Sequence, residues 1–463
     1  MMTRSPRARR AALPTTTSVT STRVSSSSSA SRPGWITGIL LLAGGLRVLW
    51  IVLVPNAQYS DSMWYDGAAA NLASSGMYGL DTPSAWFPPG YSFFLAAIYK
   101  VAGHSELAGK LGNVAIGVGL TGFTYLLGRR LAGHAVGLVS ALLIAIWPNL
   151  IFSTGILDSD LLAACGFVAV MWLGTRCRPG AQPTLASSVL LGVIIGWMVL
   201  VRPVSLILLA ALGLWWWIGT HSLAAAVARV APIVLIVGLL VGSWTLRNYV
   251  QFGEVIAIAT NGGYNFWQTN HPYADGNDTY WPFVPMDDPM YQTMRYGDEF
   301  TKNREGYRYA LAYLWANPGH ILAMLPTKLF WLYHTDTSGL YEGAVYAPME
   351  SRSLVADSIK DHEHLVEAAT FRYYEAVLSL AVLGVGAVLL RRRHQPWLWP
   401  MLALPFLLTL FHLFFHAKDR FHMPLDGIVA VFTAVAVTET ARLARRLMRP
   451  SVRIAEIPRG WSA

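Results

Sequence analysis

The chain has 463 residues, of which 54% are hydrophobic and 13% charged. Soluble globular domains carry roughly 25% charged residues, and the apolar residues here form long unbroken runs without the alternation of a barrel strand, so a soluble protein and a β-barrel are both excluded and a set of membrane helices remains. The net charge of +9 comes from arginines at the ends of those runs, the pattern of cytoplasmic loops, and no nucleic-acid partner is expected.

Residues 1–34 are rich in Ser, Thr and Arg, cannot bury a core, and read as a disordered cytoplasmic tail. The run Trp35–Val54 exceeds a signal-peptide core and lacks a small-residue cleavage site, so it reads as a retained first span. That places Asp61 outside the cytoplasm. Residues 35–246 form an N-terminal transmembrane module that includes a first external loop, 55–90. Apolar runs follow near 88–103, 107–128, 133–153, 157–175, 185–201, 203–219 and 229–246. Residues 247–370 are polar and aromatic, an external subdomain with interfacial helices. C-terminal spans at 371–390, 396–415 and 420–441 complete the transmembrane part (371–441), and 442–463 is a basic cytoplasmic tail. Arg129-Arg130, Arg176 with Arg178, and Arg391 to Arg393 mark cytoplasmic ends. The run 88–103 is short and opens on two prolines, so it reads as re-entrant or interfacial. "HILAMLPTKLFWLYH" at 320–334 holds a lysine and reads as an interfacial amphipathic segment. No internal repeat and no P-loop motif appears. Cys165 and Cys177 are not placed for a disulfide or a metal.

Charge is expensive at a bilayer edge, so the acids and cations there carry the functional signal. In "YSDSMWYDGAAANLA", Asp61, Tyr65 and Ala69 share one helical face. The plainer account is that Asp61 or Ser62 caps that helix, although no Glu or Gln follows three residues on to complete a capping box. "WFPPGY", 86–91, forces an extended entry into the next run, which a simple loop-to-helix junction would also need. "ILDSDLLAACGF" puts Asp158 and Asp160 at the start of a run, where helix-dipole complementarity alone could place them. Arg247 in "WTLRNYVQFGE" and Arg202 in "VRP" are cations where the positive-inside rule would not put them. "FHLFFHAKDRFHMPL" adds His412, His416, Lys418, Asp419, Arg420 and His422 on the same side. Such cations either snorkel to lipid headgroups or clamp an anionic group such as a phosphate. The histidine spacing matches no strong zinc motif, so no metal ligand is assigned and a divalent cation stays an open possibility.

Three stretches resemble a known family: "SDSMWYDGAAANLASSGMYGLDTPSAWFPPGYSFFLAAIYKVAG", "LRNYVQFGEVIAIATNGGYNFWQTNHPYADG" and "HAKDRFHMPL". They look like the first external loop, the central loop and the last hairpin of the GT-C superfamily of membrane glycosyltransferases. The likeness is in particular to the bacterial dolichyl-phosphate-mannose-protein mannosyltransferase-like group, glycosyltransferase family 39. The resemblance implies an all-α polytopic membrane protein, a GT-C bundle of about 10–12 transmembrane helices in a bacterial plasma membrane with both termini cytoplasmic. It implies an inverting enzyme that moves a sugar from a polyprenyl-phosphate donor to a hydroxyl of a glycan, lipid or protein on the external face. Asp61 is the implied base. Arg247, Lys418, Arg420 and His416 would meet the donor phosphate, with Tyr65, Tyr91, Asp158 and Asp160 in support. Asp160 stands where relatives often carry Glu, and Ser62 follows Asp61 where some relatives have Glu. The alternative is a secondary transporter or lipid flippase, in which these charges would form a translocation site, although such sites lie near the midplane.

Overall fold

The computed structural model describes residues 34–448, apart from 56–57, 179, 278–280, 347–352 and 393–394. Of the tail read at 1–34, all but Gly34, and the last residues of the basic tail, lie outside the described residues. Among the described residues there is no β-strand, only one isolated bridge between Gly79 and Pro83.

Helix α1 (Gly34–Leu53) leads into the loop helix α2 (Ser60–Ser75), then α3 (Gly90–Ala102), α4 (Glu106–Ala132), α5 (His134–Ala145), the short α6 (Pro148–Phe152) and α7 (Asp160–Arg176). Next come α8 (Leu185–Val201), α9 (Ile207–Thr220) and α10 (Leu223–Phe252). The central segment folds as α11 (Asn261–Trp267), α12 (Pro289–Tyr296), α13 (Glu299–Ala316), α14 (His320–Tyr333), the single turn α15 (Ser338–Leu340) and α16 (Leu354–Asp361). The chain closes with α17 (Glu363–Arg392), α18 (Leu398–Phe414) and α19 (Asp426–Leu447), the last entered through a 3₁₀ segment at Asp419–Leu425.

Among the described residues, six helical segments are long and apolar enough to cross a bilayer, and a seventh if α5 and α6, bent by 58° at Trp147, form one span; three further apolar helices are shorter. The count of about 10–12 therefore depends on those shorter helices. Helix α3 has 13 residues. It rises about 20 Å, against the roughly 30 Å of a hydrocarbon core, in keeping with a segment that does not cross alone. Helix α14 buries only Lys328 and Leu332. Its lysine does not reach water: Lys328 is buried and its Nζ donates to Thr269 Oγ1 (2.9 Å) and the Leu413 carbonyl (2.6 Å).

The main core is built where α4 packs on α5 and α7, α19 on α17 and α5, and α8 on α10. A buried arginine finishes the bend after α5. Arg47 of α1 donates to the carbonyls of Ile144 (3.2 Å) and Ala145 (3.4 Å), which the break leaves without helical partners. Helix α3 meets the end of α8 backbone to backbone. A Cβ on Gly90 would lie 2.7 Å from the Val201 nitrogen, so only glycine allows that approach. The Pro-Pro-Gly stretch thus docks α3 beside Arg202, the residue that ends α8.

Candidate active site

Helix α2 starts without help from Asp61. Ser62 Oγ accepts from the Tyr59 N–H (3.2 Å) and donates to the Tyr59 carbonyl (2.8 Å), a reciprocal cap that needs no Glu. Of the two capping candidates, the serine does the capping. The preceding residue, Ser60, sits at φ +52°, a left-handed conformation that costs a non-glycine residue of order 1–3 kcal/mol and persists only where the surroundings enforce it. The Asp61 carboxylate turns away from its own helix to Arg420, 3.1 Å from a guanidinium nitrogen. Tyr65 and Ala69 on the same face are buried, as the spacing predicts. Asp66, the other acid of α2, points elsewhere and has a structural task, accepting from Tyr99 (2.5 Å) and pairing with His104 (2.9 Å).

The second acidic loop is fixed to the first by one side chain. Gln58 donates to the Gly155 carbonyl (3.1 Å) and accepts from the Leu157 N–H (2.7 Å). Tyr91 holds the same loop from below: its hydroxyl donates to Asn113 (3.0 Å), whose amide donates to the Ile156 carbonyl (2.7 Å). Asp158 then pairs with Arg420 at 2.8 Å and faces Arg202 at 3.7 Å, while Asp160 pairs with Arg202 and lies 3.9 Å from Arg420. Burial alone would raise the Asp158 carboxyl, but Arg420, Arg202 and the hydrogen bonds from Ser159 outweigh it and hold its pKa below the ordinary value. Glu342 closes the ring, 3.3 Å from Arg420. Burial raises its pKa, Arg420 offsets part of that, and the Asp158 charge adds to the rise. The turn carrying Arg420 is anchored by Asp419, whose carboxylate accepts from the Thr337 and Ser338 N–H groups at 2.8 and 2.9 Å.

These groups border one cavity of about 930 Å³. Asp61, Tyr65, Asp158, Arg202, Glu342, His416, Lys418 and Arg420 line it. Trp86, Phe87, Phe411 and Phe415 add aromatic surface, and Ile256, Asn261, Tyr264, Asn265, Gln268 and Tyr307 of the central segment form the opposite side. The Asp61 side chain is 39% exposed and that of Asp158 only 9%, so Asp61 is the acid that an entering molecule can meet.

Three residues assigned from sequence stand outside this lining. Arg247 does not border the cavity. It donates to the carbonyls of Ser84 (3.1 Å) and Tyr78 (3.4 Å) and lies over the Trp244 ring at 4.8 Å, so it secures the first loop rather than facing a donor phosphate. Tyr91 is buried and acts through Asn113, and Asp160 sits behind Arg202. Two residues were missing from the assigned set. Arg202 had already stood out as a cation on the wrong side, and only its role went unread. Glu342, in a single π-turn at Tyr341–Val345, carries no local signal. Around Arg420 the guanidinium occupies the place where Asp61, Asp158 and Glu342 converge. The set of described residues with metal-ligand geometry lies off the cavity: Asp336, His422 and Asp426.

The fold, an all-α bundle of apolar helices with the cavity at the ends of several of them, resembles those of known membrane enzymes. The model of the family described as dolichyl-phosphate-mannose-protein mannosyltransferase matches residues 87–245, which bears out the resemblance read from the motifs. No curated protein matches in sequence. Among solved structures, the Archaeoglobus fulgidus oligosaccharyltransferase in its apo form is similar at 14% identity and a TM-score of 0.53, over 90% of this chain and 52% of that one. The archaeal oligosaccharyltransferase AglB from Archaeoglobus fulgidus, in complex with an inhibitory peptide and a dolichol-phosphate, is similar at 13% identity and a TM-score of 0.50, over 89% of this chain and 51% of that one. ArnT from Cupriavidus metallidurans, bound to undecaprenyl phosphate, matches at 14% identity and a TM-score of 0.44, over 89% of this chain and 79% of that one. The chain spans about half the length of the oligosaccharyltransferases it matches. It is a multi-pass, all-α membrane protein that shares its fold with these oligosaccharyltransferase structures.

Proposed function

We propose that the chain is an inverting glycosyltransferase that takes a sugar from a polyprenyl-phosphate donor and passes it to an acceptor hydroxyl at the external face of the membrane. The observation that carries this reading is the convergence of a solvent-reachable carboxylate, Asp61, with Arg420 and Lys418 on one cavity. The archaeal neighbour was solved with a dolichol-phosphate, and a lipid phosphate of that chemistry is the donor expected here. Asp61 takes the proton of the acceptor hydroxyl as its oxygen attacks the anomeric carbon, and the carbon–oxygen bond to phosphate breaks on the far side. A lipid phosphate is a good leaving group, so one base suffices, unlike the carboxylate pair of a glycoside hydrolase. Lys418, His416 and Arg420 face the departing phosphate charge. The central segment, which lines the opposite wall, selects the acceptor.

The test is transfer of label from polyprenyl-phosphate sugars by purified protein, wild type against Asp61→Asn. A loss of about 10²–10⁴-fold is expected, the usual share of a general base, with donor binding retained. Transfer at the wild-type rate in the variant removes Asp61 as base, and a wild-type protein that moves the lipid without cleaving it makes the chain a flippase.

A further inference from the structure

On the side of the 419–426 segment away from the cavity lies a second acidic group, and it has no arginine. Asp336, His422 and Asp426 are all buried, and one potential ligand atom from each lies within 4.8 Å of the others. Among the described residues no Lys or Arg pairs with either carboxylate, and both face His422. The Asp336 oxygens accept from Trp147 Nε1 (2.5 Å) and from the Asn149 amide, which fixes the carboxylate rotamer. The His422 Nδ1 contacts the Leu332 carbonyl at 2.7 Å and therefore carries the proton, so in the neutral imidazole the Nε2 lone pair points at the two acids. Tyr374 stacks on the ring at 4.8 Å and holds it there.

The distances do not describe hydrogen bonds. His422 Nε2 stands 3.5 Å from Asp336 and 3.7 Å from Asp426. Both values exceed the roughly 2.7–3.2 Å of an N–H···O bond. They are close to the edge of a coordination tetrahedron, about 3.3–3.6 Å for metal–ligand bonds of about 2.0–2.2 Å. His422 Nε2 and both Asp426 oxygens are buried without a hydrogen-bond partner. A buried carboxylate without a partner, as at Asp426, costs several kcal/mol. A proton on His422 would still leave a net negative charge, whereas a divalent ion brings the set to neutrality.

We propose that Asp336, His422 and Asp426 bind a divalent transition-metal ion of the zinc class, with His422 Nδ1–H held by the Leu332 carbonyl as its outer support. The imidazole and carboxylate donors suit such an ion, and a carbonyl partner on the second ring nitrogen is the usual support of a metal-bound histidine. A small rotation of the Asp426 carboxylate, whose oxygens have no hydrogen-bond partner, brings the widest pair within reach of one ion. Its task is structural. It ties the 336–340 turn, α6 (through Trp147 and Asn149) and the start of α19 together. Arg420 lies two residues before His422, and Asp419 is held by the N–H groups that follow Asp336. The metal therefore fixes the guanidinium that the cavity acids surround.

Metal analysis of the full chain, purified in detergent without chelators, tests this directly. About one equivalent of zinc-class metal per chain is expected, retained in Asp158→Asn and lost in Asp426→Asn. Chelation should lower the unfolding temperature and added zinc should restore it. Cobalt-loaded protein should show the visible bands of a four-coordinate nitrogen–oxygen site, and His422→Cys should add a thiolate-to-cobalt charge-transfer band, which keeps the assignment testable if Asp426→Asn does not fold. Wild-type protein with neither stoichiometric metal nor a cobalt spectrum overturns the proposal, as does metal lost in Asp158→Asn, metal that persists in Asp426→Asn, or a cobalt spectrum unmoved by His422→Cys.

Discussion

Two acidic clusters flank the 419–426 segment and solve the same electrostatic problem differently. At the cavity, Asp61, Asp158 and Glu342, with Asp160 behind them, surround Arg202 and Arg420. On the other side, Asp336 and Asp426 face one histidine and are sealed from solvent. A guanidinium is large, planar and multidentate, and it can exchange one acidic partner for a phosphate. That suits a wall where substrate arrives. Buried acids without a cationic side chain beside them suit a small ion, the compensation proposed above.

Arg420→Met breaks the comparison most severely. It leaves three carboxylates without their shared cation, and a loss of about 3–5 kcal/mol is expected in chemical or thermal unfolding. The metal content should not fall, which separates the two clusters. Adding Asp158→Asn to Arg420→Met should recover about 1–3 kcal/mol, the coupling of residues in one charge network. Full additivity in that cycle would show that the pair is not coupled. Tyr91→Phe removes a donor from Asn113 and should cost about 1–2 kcal/mol. Transfer should slow as the Asp158 loop loosens, while binding of an acceptor analogue changes little. Glu342→Gln is the smallest effect, about 0.5 kcal/mol. Its folded pKa is raised above the ordinary 4.5, so its contribution to stability is present below that value and is lost as pH rises through the folded value. The variant should match wild type in acid and exceed it in melting temperature at neutral pH. The reverse order would mean that the Arg420 pairing outweighs the cost of burial.

Much of this was legible because charge in a membrane protein is scarce. Asp61, Asp158 and Arg420 could be grouped from the side of the membrane their segments had to occupy, although 97 residues separate the two acids and 262 separate Asp158 from Arg420. The same argument misled at Arg247. A cation on the unexpected side needs compensation, but carbonyls and the Trp244 ring supply it as well as a phosphate would. Ser62 was half-read, because a serine in the third position can complete a reciprocal cap without a carboxylate. Glu342 and the Asp336 group were out of reach. Glu342 has no local signal, and His422 and Asp426, though four residues apart, acquire meaning only when Asp336 from a distant segment joins them.

The Gln58 amide grips both sides of the second acidic loop through Gly155 and Leu157. The stretch before Asp61 and the one before Asp158 must consequently travel as a single jaw. A bulky guest that parts those acids has to break the Gln58 bonds first, so Gln58→Ala should loosen the two stretches together.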